Sequence, residues 1–246
     1  MKASEKVENY LKVLSLHQIA EIYQDEAEKA AKAKRSYQDF LLNLLEQQVN
    51  SKIERSINRH IRTAGFPLMK HLEEFDFSFQ PKLDDKLITE LAGLNFLNES
   101  KNILFLGPPG VGKTHLAIAL GIKACQVRKR VMFYTAEALT QMLAADDISG
   151  NLQKRLVSLA RIDLLIIDEL GYLELSKKTA TLFFQLISKR YEHGSIIITS
   201  NKPFEEWGEI FQDDVVAAAI LDRLLHHSYT FYIQGNSYRM KNVRLK

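Results

Sequence analysis

Residues 107–114 read GPPGVGKT, set between the apolar run NILFL at 102–106 and a stretch of helix-forming residues that begins at Thr114. This octet matches G-x-x-x-x-G-K-[ST], and the motif has a mechanical reading only when a strand enters it and a helix leaves it. Both conditions hold here. Gly107, Gly110 and Gly112 let the backbone curl until its N–H groups converge on phosphate oxygens. Pro108, Pro109 and Val111 fill the turn, and the following helix turns its positive end toward the same anion. Lys113 is placed to neutralise β- and γ-phosphate charge, and the Thr114 hydroxyl to ligate Mg²⁺. The expected ligands are ATP and Mg²⁺.

A loop of this kind demands an α/β framework, and the rest of the chain supplies one. Beyond residue 101, short apolar runs alternate with helical patterns. The strands are NILFL, VMFYT at 131–135, LLII at 164–167, SIIIT at 195–199 and YTFYI at 229–233. Strands of this character alternating with helices predict a parallel five-stranded sheet covered on both faces. Residues 1–70 carry few strand signals. Their apolar spacing predicts one helix over 7–33 and a second from Ser36, a cap with Asp39 three residues later, to about Thr63, where Gly65 and Pro67 stop it. The expected division is a small all-helical N-terminal domain, 1–70, followed by an ATPase domain, 71–246. Its first part, HLEEFDFSFQPKL, reads as an aromatic, extended adapter leading into a helix over 84–97.

The strand LLII runs straight into Asp168 and Glu169. In a doubly covered sheet, ligands sit at the carboxyl ends of strands. Asp168 is therefore expected in the Mg²⁺ shell with Thr114, and Glu169 is expected to polarise the attacking water. The adjacent glutamate favours hydrolysis over phosphoryl transfer to an alcohol. An extra strand between the phosphate loop and these acids is a feature of the group that includes RecA-like and AAA+ ATPases. Asn201, just past the next strand, is in place to reach the γ-phosphate or the lytic water as a sensor; the alternative is a turn residue before Pro203. Arg223 lies late on an apolar helix before the last strand. Arginine can stabilise transition-state charge, even from a neighbouring subunit; by position alone this one also fits a surface arginine paired with Asp222.

Charge and composition add partners and exclusions. The net charge of +3 decides nothing by itself. Its distribution is more informative: Lys52, Arg55, Arg59 and Arg62 recur at helical spacing along one face of the second helix. Such a stripe can lie along DNA phosphates without reading sequence. No apolar run approaches the roughly 20 residues that cross a bilayer, and the charged N-terminus has no signal-peptide core. The expectation is a cytoplasmic protein with no membrane partner. Cys125 is the single cysteine, so no disulfide closes within the chain, and its helical setting predicts a buried thiol.

Taken together, GPPGVGKTHLAIALG, LLIIDELGY, IIITSNKPFEEW and ILDRLLHHS resemble the IstB family over the whole chain. These are AAA+ helper ATPases of two-gene insertion sequences, related to DnaC-type helicase loaders. The resemblance implies a homo-oligomer, ring or spiral, that binds double-stranded DNA and works with the transposase of its element. It implies that Arg223 is a finger acting in trans, because LDRL stands where that motif stands. The alternative it leaves is a DnaC-like replicative helicase loader. The chain departs from the full AAA+ pattern after its last strand, where too few residues remain for a three-helix lid. Arg239 is the substitute candidate for the arginine such a lid would carry.

Overall fold

The computed structural model describes residues 3–240. They divide into two compact units, with the boundary between Arg59 and His60.

The first unit is helical. It contains α1 (Ala3–Val13), α2 (His17–Lys32) and the larger part of α3 (Tyr37–Ala64). The single helix expected over 7–33 is two helices, because Ser15 adopts a left-handed backbone at φ 56° and the chain turns there. The N–H groups that open a helix need acceptors. For α2 a side chain from α3 provides one: Gln48 Oε1 accepts from Gln18 N at 3.1 Å and Ile19 N at 3.3 Å. Ser36 caps α3 as expected, its hydroxyl accepting from Asp39 N at 3.1 Å.

The second unit begins inside α3, earlier than the expected boundary at 70/71. Ala64 is buried in its core, with Ile61 and Phe66 packed against the same cluster. Gly65 then ends α3 at φ 77°. Two single 3₁₀ turns, Leu72–Glu74 and Phe77–Phe79, occupy the expected extended adapter. Asp84 caps α4 (Asp85–Leu91), accepting from Leu87 N at 3.0 Å. The helix expected over 84–97 breaks there, because Leu94 is left-handed at φ 66°, and resumes as α5 (Asn95–Asn98).

The alternating part follows as β1 (Asn102–Leu106), α6 (Lys113–Gln126), β2 (Val131–Thr135), α7 (Ala136–Ile148), α8 (Leu152–Ala160) and β3 (Leu164–Leu170). After these come α9 (Lys177–Arg190), β4 (Ser195–Ser200), α10 (Trp207–Phe211), α11 (Asp214–Leu225) and β5 (Ser228–Tyr232). The five strands form one parallel sheet in the order β2-β3-β4-β1-β5. Strands β1 and β4 are buried at every residue, which is why they read as unbroken apolar runs. One face packs on Leu139, Leu143, Phe183 and Trp207, and the other on Leu116, Leu120, Phe96 and Ile88. Cys125 is buried in the latter cluster, where desolvation pushes its thiol up to about 11. At the far end of the sheet, the buried Arg190 guanidinium donates to the carbonyls of Leu159, Ile162 and Ser195, pinning the start of β4 to the end of α8.

The strand order is what creates the site. β4 lies between β3 and β1, so three carboxyl ends stand side by side. They carry the acids, the residues after SIIIT and the phosphate loop.

Candidate active site

The loop leaves β1 with Gly107 at φ 145°, a conformation closed to side chains. A Cβ at Gly107 would also lie 2.1 Å from the carbonyl oxygen of Ile233. Gly112, at φ 102°, opens α6 and takes the Phe75 ring against it, with a Cβ excluded at 2.5 Å. Lys113 folds over the loop, Nζ donating to Gly107 O at 2.7 Å and Pro108 O at 2.8 Å. Burial pushes its ammonium down to about 8, and Arg239 pushes the same way, while Asp168 and Glu169 oppose them.

Thr114 and Asp168 meet. Thr114 Oγ1 donates to the Asp168 carboxylate, 2.9 Å from Oδ1 and 3.1 Å from Oδ2. Neighbouring ligands of an octahedral ion with bonds of roughly 2.0–2.1 Å stand about 3 Å apart. A hydroxyl and a carboxylate at this spacing are two hard oxygen donors already at the separation Mg²⁺ requires, so the residues fit that ion.

β3 continues through the acids rather than ending before them, with a register shift between Ile167 and Leu170. At that irregularity Glu169 takes a left-handed backbone, φ 63°, and its side chain is exposed toward the cleft while Asp168 stays buried. A residue absent from the sequence reading holds the two acids in these roles. Thr199, on β4, donates to Asp168 Oδ1 at 2.5 Å and accepts from Glu169 N at 2.9 Å. The available signal was a threonine at the end of a strand whose preceding residues are isoleucines.

Lys113, Thr114, Glu169, Asn201 and Arg239 line one cleft of about 650 Å³, within the range of roughly 300–1,000 Å³ typical of small-molecule sites. Asn201 Oδ1 is buried and has no hydrogen-bond partner among the described residues, which suits a group that acts on a ligand. The tail after β5 enters the same cleft, and Tyr238 N donates to Gly110 O at 2.9 Å. Phe75, Phe79 and Gln80 of the adapter line it as well. The sequence marks residues 71–83 only as an aromatic adapter, because nothing local in it ties residues 75–80 or 238 to residue 110.

Arg223 is not among the cleft-lining residues. Its Nη1 donates to Ala219 O at 2.8 Å and its guanidinium lies 4.7 Å from the centre of the Phe184 ring. The geometry therefore does not pair it with Asp222. Lys52, Arg55, Arg59 and Arg62 are all exposed on α3.

A family profile described as IstB-like ATP binding protein matches residues 9–246. A protein of Pseudomonas aeruginosa, named for ATP binding and insertion sequence IS21, is 49% identical over 88% of this chain and 82% of its own length. A counterpart from Geobacillus stearothermophilus, named for insertion sequence IS5376, is 46% identical over 98% of this chain and 96% of its own. Among solved structures, AMPPCP-bound DnaA from Aquifex aeolicus superposes with a TM-score of 0.58 at 23% identity, covering 74% of this chain and 58% of that one. That last likeness is one of fold, and the fold is that of AAA+ P-loop proteins.

Proposed function

This chain belongs to the IstB-like ATP binding protein family, and from that premise we propose that it hydrolyses ATP, assembles as a homo-oligomer on double-stranded DNA, and assists the transposase of its insertion sequence. The observation that carries the hydrolytic part is the Thr114–Asp168–Thr199–Glu169 relay across the ends of α6, β3 and β4. It separates two carboxylates by environment: Asp168 is buried and held by two hydroxyls, while Glu169 faces the cleft. Separated environments give paired acids separate tasks.

In this reading Thr114 and Asp168 would hold Mg²⁺, which would supply charge neutralisation at the phosphates. Lys113 and the loop N–H groups bind the same oxygens. Asn201 orients the attacking water and Glu169 accepts its proton. The new O–P bond forms as the bond from the γ-phosphorus to the bridging oxygen breaks, and ADP carries the leaving electron pair. Arg239 adds positive charge beside Lys113. The relatives named for insertion sequences favour the transposition role over a helicase loader.

DNA contact is assigned to Lys52, Arg55, Arg59 and Arg62, whose spacing places them along one helical face. Assembly is supported by the first unit, where Tyr37, Leu41, Leu45 and Val49 of α3 are exposed; contiguous exposed apolar surface marks interaction sites. The double variant Arg55→Glu, Arg59→Glu is expected to bind duplex DNA more weakly in the presence of ATP, by a similar factor whatever the sequence. The slope of log affinity against log salt should become shallower by about two. A filter-binding titration with unchanged affinity and slope would return these side chains to a solvated surface.

Arg223 is assigned to the nucleotide of a neighbouring copy. Arg223→Ala should bind ATP with near wild-type affinity yet lose turnover by about three orders of magnitude, the scale of arginine-finger effects. Mixed with Lys113→Ala subunits, equally inactive alone, it should regain activity wherever an intact Lys113 site faces an intact Arg223. Mixed oligomers that form and stay inactive would leave Arg223 as a local brace for Ala219 and Phe184.

A further inference from the structure

Gln80 is 3% exposed, and neither its Nε2 nor its Oε1 has a hydrogen-bond partner among the described residues. A buried carboxamide with both ends unmet is rare, because it gives up water on each side without replacement. The residue belongs to the aromatic adapter HLEEFDFSFQPKL, to which hydrolysis gives no role. It forms part of the wall of the nucleotide cleft. The same wall carries three aromatic residues, Phe75, Phe79 and Tyr238, and Phe79 meets Tyr238 edge-on at 5.1 Å. The tail runs against the carboxamide at Gly235, where a Cβ would stand only 2.8 Å from Oε1.

A triphosphate offers oxygen acceptors alone, and Lys113 with the loop amides already serves them. A carboxamide offers one donor face and one acceptor face. The part of ATP that presents the complementary pair on a flat body is the base. We propose that Gln80 reads the adenine: Oε1 accepts from the exocyclic amino group, and Nε2–H donates to the adjacent ring nitrogen, the pairing that glutamine makes with adenine elsewhere. The aromatic residues of the adapter and tail flank the ring. This inference rests on the reading of the cleft as the ATP site and adds the determinant of base specificity to it.

The test uses the full chain and the near-isosteric variant Gln80→Met, with Mg²⁺ present and three ligands: ATP, purine riboside triphosphate, which lacks the amino group, and inorganic tripolyphosphate. Wild-type protein should prefer ATP to the purine analogue. In Gln80→Met, affinity for ATP should fall about tenfold, as for two lost hydrogen bonds, and the preference over the analogue should vanish. Tripolyphosphate should bind both proteins equally, and the variant should melt no lower than wild type, because it removes two unmet polar atoms. A persistent preference for ATP, or an equal loss for ATP and tripolyphosphate, would make Gln80 a structural strut and overturn the proposal. Failure of the wild-type protein to bind either ATP or tripolyphosphate would instead remove the nucleotide-site reading beneath it.

Discussion

Lys113→Ala is expected to reduce ATP affinity by about two to three orders of magnitude, from the loss of charge-assisted hydrogen bonds in a desolvated loop. The ammonium is mostly buried and has no carboxylate within bonding distance among the described residues; its partners are the carbonyls of Gly107 and Pro108. Alanine leaves those carbonyls without a donor and the triphosphate without its nearest cation. The fold should survive, because the lysine caps the loop rather than filling the core. A pH dependence accompanies this. Burial brings the ammonium down to about 8, whereas a triphosphate beside it favours the charged form and raises it. Binding therefore takes up a proton above that value, so ATP affinity should be level below about pH 8 and fall as pH rises past it. Lys113→Ala should lack that fall. Equilibrium binding of ATP by both proteins from about pH 7 to about pH 9 checks both statements. Unchanged affinity in the variant would remove the loop from nucleotide binding.

Glu169→Gln should leave ATP affinity within about twofold of wild type and reduce turnover by about 10²–10⁴, the span assigned to a lost general base. The substitution is sterically neutral. Residue 169 keeps its left-handed backbone, and its N–H keeps Thr199 as acceptor. Only the ability to take a proton from water is lost. Parallel measurements of phosphate release and nucleotide binding separate the two effects; under the proposed role the variant should also stay longer on DNA, because hydrolysis would no longer end the complex. Wild-type turnover in Glu169→Gln would assign the proton to another group.

Both predictions concern residues visible in the chain before any coordinates. GPPGVGKT and LLIIDE are legible because their chemistry is local: a glycine turn between a strand and a helix, and acids at the end of a buried strand. The three inner strands β1, β3 and β4 are legible for the same reason, since burial on both faces forces continuous apolar runs. Helix ends were partly legible. Ser36 and Asp84 cap their helices as their side chains allow, but Ser15 and Leu94 break helices at positive φ. A serine and a leucine do not announce that conformation, and surrounding packing imposes it.

What the tertiary structure alone decided is which distant residues share the cleft. The order β3-β4-β1 brings Thr199 between Asp168 and Glu169, and no spacing in the sequence encodes which strand lies between two others. The same holds for α3, whose last turn joins the second unit because Ala64 finds a core there. The tail returns to lay Tyr238 on Gly110, and the adapter brings Gln80 into the same wall. Sequence periodicity reports whether a residue is buried and on what kind of element. It carries no term for the partner, because hydrophobic burial is non-directional. The choice among partners is made when β1, β3 and β4 pair edge to edge, and that pairing places the residues of the candidate site.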